Sequence, residues 1–108
     1  MNPRAERIAS TPSGPRLQGI KCRECGARSF PPARWCRSCH SDAIDVVELA
    51  ATGRIEACSG YSGVAFGEVR LDDGLLVAGR LEPFEQARVG AKVRFHPDDD
   101  IIRFTVHD

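Results

Sequence analysis

Four of the five cysteines fall into two pairs, Cys22-Arg23-Glu24-Cys25 and Cys36-Arg37-Ser38-Cys39, with ten residues between them. In each C-x-x-C a tight turn can aim two thiolates at one point. Two such knuckles complete a tetrahedron around zinc. Gly26, directly after the first pair, suits the left-handed position that such a turn needs. A disulfide framework fits poorly, because the first thirty residues carry no apolar stretch of the export type and a fifth cysteine would be left over. A redox C-x-x-C should open a helix, and Phe30-Pro31-Pro32 works against one. The expectation is one structural Zn2+ per chain on Cys22, Cys25, Cys36 and Cys39.

Four thiolates close the shell and leave no position for water or substrate, so the ion is expected to hold structure rather than to react. Its formal charge of −2 can be offset by Lys21, Arg23, Arg28, Arg34 and Arg37. His40, beside Cys39, could take the place of a cysteine, but the four better-spaced thiolates make it read as a surface residue or one that supports the ligands. Elsewhere the residue types give no catalytic set. Cys58 reads as a small hydrophobe at a strand end. His96 faces outward by alternation, and His107 lies next to the last residue. Asp98–Asp100 reads as a solvated turn. No nucleophile–base pair stands out, so no catalytic residue is assigned and no activity is expected of the chain alone.

The 108 residues suffice for one domain or two small modules. Basic and acidic residues balance at 15 each, but not evenly. Residues 1–40 hold eight basic residues against Glu6 and Glu24, whereas residues 41–108 hold seven against thirteen acidic ones. Such asymmetry points to modules that face different partners. The basic half also carries Trp35, and tryptophan and arginine are enriched at interface hot spots. Phe30, Arg34, Trp35 and Arg37 are therefore the candidate partner-binding residues. No apolar run approaches the ~20 residues of a membrane helix. A cytoplasmic protein without a membrane partner is expected.

These residues need elements to hold them. Residues 1–19, with Pro3, Pro12 and Pro15, read as a flexible arm without helical or strand period. Residues 20–43 read as the zinc ribbon, and residues 44–108 as a barrel. In that last part the period becomes two. Val47, Leu49, Ala51, Ile55 and Ala57 share one side of a long strand bent at Gly53. Further strands are predicted over Val64–Leu71, Leu75–Leu81, Ala91–His96 and Ile102–Val106, with a hairpin at Asp72-Asp73-Gly74. The expected fold is mainly β: a rubredoxin-like zinc ribbon followed by a five-stranded OB-fold barrel, with an SH3-like barrel as the alternative.

The string Ile20-Lys21-Cys22-x-x-Cys25-Gly26-x-x-x-Phe30-Pro31-Pro32-x-x-x-Cys36-x-x-Cys39-x-Ser41, followed by Glu48-Leu49-x-x-x-Gly53-x-Ile55, resembles the zinc-ribbon/OB-fold acyl-CoA-associated family. That family was formerly domain of unknown function thirty-five. The resemblance covers about residues 17–108. It implies a ribbon and an OB barrel, with zinc on the same four cysteines. It also implies a non-catalytic companion of a thiolase-like acyl-CoA enzyme (ketothiolase, aldolase or acyltransferase) in a hetero-oligomer, with coenzyme A as a candidate contact. Some relatives instead accompany hot-dog-fold enoyl-CoA hydratases. Relatives usually carry an amphipathic helix before the first cysteine, where Pro12, Gly14 and Pro15 stand here. The other function class is a nucleic-acid-binding zinc-ribbon/OB module. The acidic charge of residues 41–108 argues against it.

Overall fold

The computed structural model of the chain describes residues 7–12, 14–96 and 101–107. Residues 1–6 and the Asp98–Asp100 turn lie outside the described residues. The chain divides into two compact units, Met1–Leu49 and Ala50–Asp108.

The first unit is a small sheet built on one long strand. β1 (Ile8–Thr11) and β2 (Gly14–Cys22) form an antiparallel hairpin, with Ile8 opposite Leu17 and Thr11 opposite Gly14. β3 (Arg28–Ser29) pairs with Ile20 and Lys21 of β2, and β4 (Ile44–Glu48) pairs with Gln18–Cys22. Leu17, Ile20, Cys22, Cys36 and Leu49 are buried there. Seven of the nine β2 residues are buried or half-buried, so the strand shows no clean alternation. The flexible arm expected at residues 1–19 is corrected for its described part, because residues 8–11 and 14–19 are in strands. Gln18 N–H donates to the Arg7 carbonyl at 2.7 Å. Antiparallel pairing alternates from there. Pro15, opposite Ser10, therefore falls at a position whose nitrogen faces away from β1 and needs no proton.

The second unit is a closed barrel. β5 (Thr52–Tyr61), β6 (Val64–Leu71) and β7 (Leu76–Glu82) form an antiparallel meander. A short 3-10 turn, Phe84–Gln86, follows. β8 (Lys92–Phe95) then pairs with β5, and β9 (Arg103–Val106) pairs antiparallel with β8 and parallel with β7. The order β5-β6-β7-β9-β8 closes on itself and is that of an OB barrel, as expected. Ile55, Val69, Leu71, Val77, Leu81, Val93 and Phe104 fill the interior at 1% exposure or less. Phe95 and Phe104, directly opposite across β8 and β9, meet edge to face with centroids 6.0 Å apart. Such a pair adds ~0.5–1.5 kcal/mol beyond its buried area.

Two turns set the register. Ser62 and Gly63 both have positive φ, 52° and 77°, so the β5–β6 turn is of the primed type that matches strand twist. At the β6–β7 hairpin, Asp73 accepts from Leu75 N–H at 3.3 Å and from Ala50 N–H at 2.8 Å.

The single long strand expected over residues 47–57 is corrected. β4 belongs to the first unit and β5 to the barrel. A register shift between Ile55 and Ala57 also reverses the alternation, leaving Ala57 exposed and Cys58 half-buried. Gly53 stands where the chain enters β5. A Cβ there would run into the Arg70 carbonyl oxygen.

Candidate metal centre

Both knuckles close in the same way. Cys22 ends β2, its N–H donates to the Ala27 carbonyl at 2.9 Å, and its carbonyl accepts from Gly26 N–H at 3.0 Å. In the second knuckle Cys36 N–H donates to the Ser41 carbonyl at 2.7 Å, and its carbonyl accepts from His40 N–H at 2.9 Å. Gly26 and His40 thus occupy equivalent places, and both are left-handed, with φ of 77° and 65°. The turn geometry expected of Gly26 is present. His40 has a backbone role that its side-chain chemistry does not suggest: it takes the place of the glycine in the second turn.

The turns bring the four sulfurs together. Cys22 Sγ lies 3.6 Å from Cys39 Sγ, and Cys25 Sγ lies 3.5 Å from Cys36 Sγ. All four sulfur atoms lie within 4.8 Å of one another. A tetrahedron with zinc–sulfur bonds of ~2.3 Å has edges of roughly 3.8 Å, so the spacing fits one zinc ion. The first cysteine of each pair is buried and the second exposed. Glu24 and Cys25 N–H groups donate to Cys22 Sγ at 3.3 and 3.4 Å, and Ser38 N–H donates to Cys36 Sγ at 3.3 Å.

The thiols perturb one another strongly. The Cys39 and Ser38 amides bring Cys36 down to about 6. Cys22 is lowered first by the Cys25 amide. At Cys39 the Ser41 amide favours the thiolate, but the Cys22 sulfur, burial and the other two sulfurs together push the thiol up to about 12. At Cys25 the Ala27 amide lowers the value, and the Cys36 sulfur and burial outweigh it. Cys36 and Cys22 are shifted towards the thiolate and Cys39 and Cys25 away from it, as expected when like charges crowd one site. A dication removes that conflict and lets all four ionise. The donor set and spacing therefore suit a closed zinc site.

The candidate partner-binding residues come together in part. Pro31, Pro32, Ala33, Arg34, Trp35 and Arg37 line a cleft of about 470 Å³ on the first unit. Trp35 is 54% exposed, and Arg37 donates to the Pro31 carbonyl at 3.5 Å. Phe30 is half-buried and does not line this cleft. Outside the cluster, the Cys58 thiol lies 3.8 Å from the Ala87 carbonyl oxygen. His96 is exposed, as its alternation requires.

Residues 15–45, from the second residue of β2 to the second of β4, match the rubredoxin-like zinc-ribbon domain of ChsH2. The first unit carries a rubredoxin-like zinc ribbon. The resemblance read from the cysteine spacing is thereby borne out, and so is the zinc site it implied. Over 95 residues, 81% of the chain, the sequence is 30% identical to the benzoylsuccinyl-CoA thiolase subunit BbsA of Thauera aromatica. The chain spans 61% of the length of that relative. Two solved structures share the fold. The Ltp2-ChsH2(DUF35) aldolase gives a TM-score of 0.66 at 21% identity, covering 84% of each chain. A DUF35-family protein of unknown function from Sulfolobus solfataricus gives 0.65 at 21% identity, covering 85% of this chain and 76% of that one. Among the described residues no helix is long and apolar enough to cross a membrane.

Proposed function

We propose that this chain is a non-catalytic zinc-binding subunit that stabilises and assembles a thiolase-like acyl-CoA enzyme. The observation that carries the reading is its 30% identity, across ribbon and barrel alike, to a thiolase subunit. The chemistry of the site agrees with it. Four thiols that face one another within 4.8 Å are committed to a metal, and a four-sulfur shell leaves no place for substrate. Cys58, near a backbone carbonyl rather than a base, lacks what activates a nucleophile.

The ribbon cleft supplies the docking surface in this reading. Trp35 is the apolar anchor, Arg34 and Arg37 the charged rim, and the zinc site holds the loop that presents them. Phe30, half-buried and directly before Pro31, is the fourth candidate residue of this surface. The test is to isolate the tagged full chain from its host and assay acyl-CoA carbon–carbon chemistry, with and without the co-isolated enzyme. Activity is expected only in the complex. Trp35→Ala, with zinc retained, should weaken assembly by ~2 kcal/mol or more. Turnover by the chain alone would overturn the reading, as would a co-isolated complex with no acyl-CoA enzyme in it.

A further inference from the structure

The barrel treats its cations in two ways. Arg70 is held by Glu56 through Nε–Oε2 at 2.5 Å and Nη2–Oε1 at 3.1 Å. Arg80 and Arg103 both reach Glu82, at 3.3 and 3.4 Å. The other four, Arg54, Arg88, Lys92 and Arg94, have no carboxylate within ion-pair distance among the described residues. They are not scattered. Arg54 stands directly opposite Lys92 across β5 and β8, and Arg94 stands opposite Thr52 one pair further along the same face. Arg54 donates to the Gly90 carbonyl at 3.1 Å, which ties it to the loop that bears Arg88. On the other side of Lys92, its carbonyl accepts from His107 N–H at 2.9 Å.

Like charges directly across a ladder are destabilising, and the barrel part of the sequence is rich in carboxylates that could have relieved them. Four exposed cations without a carboxylate partner among the described residues leave this seam free to meet an outside counter-charge. The seam also has a hollow. A cleft of about 660 Å³ is lined by Arg88, Val89, Ala91, Lys92, Val106 and His107 among others. Val89, next to Arg88 in the chain, is 65% exposed. Val89 and the half-buried Val106 beside these cations combine apolar and charged contacts, as protein interfaces do.

We infer that the β5–β8 seam, with the Arg88–Ala91 loop, is a docking surface for an acidic protein segment that carries one aliphatic side chain flanked by carboxylates. The aliphatic group covers Val89 and Val106, and the carboxylates meet Arg88, Lys92, Arg54 and Arg94. A bare phosphate would answer the charges but leave Val89 in water. This surface lies on the barrel unit and its test is separate from that of the ribbon cleft.

The probe is a synthetic peptide with one leucine between two pairs of acidic residues, titrated into the zinc-loaded full chain and followed by amide NMR shifts. The expected shifts fall on residues 88–94 and 107. Lys92→Glu should raise the dissociation constant about tenfold or more. Arg28→Glu, the same charge change on the exposed β3 strand, should leave it unchanged, and replacing the leucine with serine should raise it severalfold. Because Lys92 and Arg28 are exposed, the spectra themselves report that each variant is folded. Four results would overturn the inference: no shifts at the seam, equal losses in both charge variants, pyrophosphate shifting these amides while the peptide does not, or shifts that follow protein dilution without peptide, which would mark a contact with a second copy.

Discussion

Cys36 and Cys39 are three residues apart, yet one thiol is brought down to about 6 and the other pushed up to about 12. That split comes from backbone amides aimed at the buried sulfur and from crowding at the exposed one. The thiolate is thereby favoured at Cys36 and disfavoured at Cys39. Metal analysis should return about one zinc per chain, and Cys36→Ser should abolish tight binding and with it the ~10–16 kcal/mol that zinc contributes to such folds. The cysteine spacing made this site readable in advance. His40 was not readable, because nothing in C-x-x-C-H says whether the histidine binds through its ring or merely supplies a left-handed backbone. With φ of 65° in the place of Gly26, the answer is the backbone. His40→Gly should keep the full zinc content and stability within about 1 kcal/mol, and His40→Val should lose ~1–2 kcal/mol by thermal melting. Glu56 offers a pH test. The hydrogen bond from Arg70 holds its carboxyl below the usual range. Its stabilising effect is therefore fully present above the unfolded value of about 4.3 and is lost as pH falls through the lower folded value. The difference in melting temperature between the wild type and Glu56→Gln should accordingly shrink below about pH 4.

The barrel strands were legible because each buries one face. Val93 and Phe95 alternate with Lys92 and Arg94, and the observed β8 follows that pattern residue by residue. The β1–β2 hairpin was hidden for the opposite reason. Pro12 and Pro15 look like breakers, and only the pairing register reveals that Pro15 sits where no hydrogen bond is asked of it. The break between β4 and β5 was hidden too. Val47, Leu49, Ala51 and Ile55 keep one period across residues that belong to two separate units. Phe104 is the element-level test of the barrel, being wholly buried and opposite Phe95. Phe104→Ala should cost ~3–5 kcal/mol by denaturant unfolding while zinc content stays at about one per chain.

Each unit has its own core, Leu17, Ile20 and Leu49 in one and the barrel residues around Phe104 in the other. Chelation should therefore strip amide-exchange protection from residues 14–49 while the barrel strands keep theirs. The charge asymmetry pointed to units with different tasks. The structure adds where the exposed cations gather: around Trp35 on the ribbon, and along the β5–β8 seam of a barrel that the sequence alone marks only as acidic. Cross-strand register, invisible to composition, is what brings Arg54 to Lys92. The central claim is that the chain works as a zinc-bearing companion within an acyl-CoA enzyme. Native mass spectrometry of the tagged chain isolated from its host tests it most directly. The account predicts a complex in which each copy of this 11.8 kDa chain carries one zinc and is bound to a thiolase-like subunit. A free, zinc-loaded chain, or one bound only to nucleic acid, would contradict it.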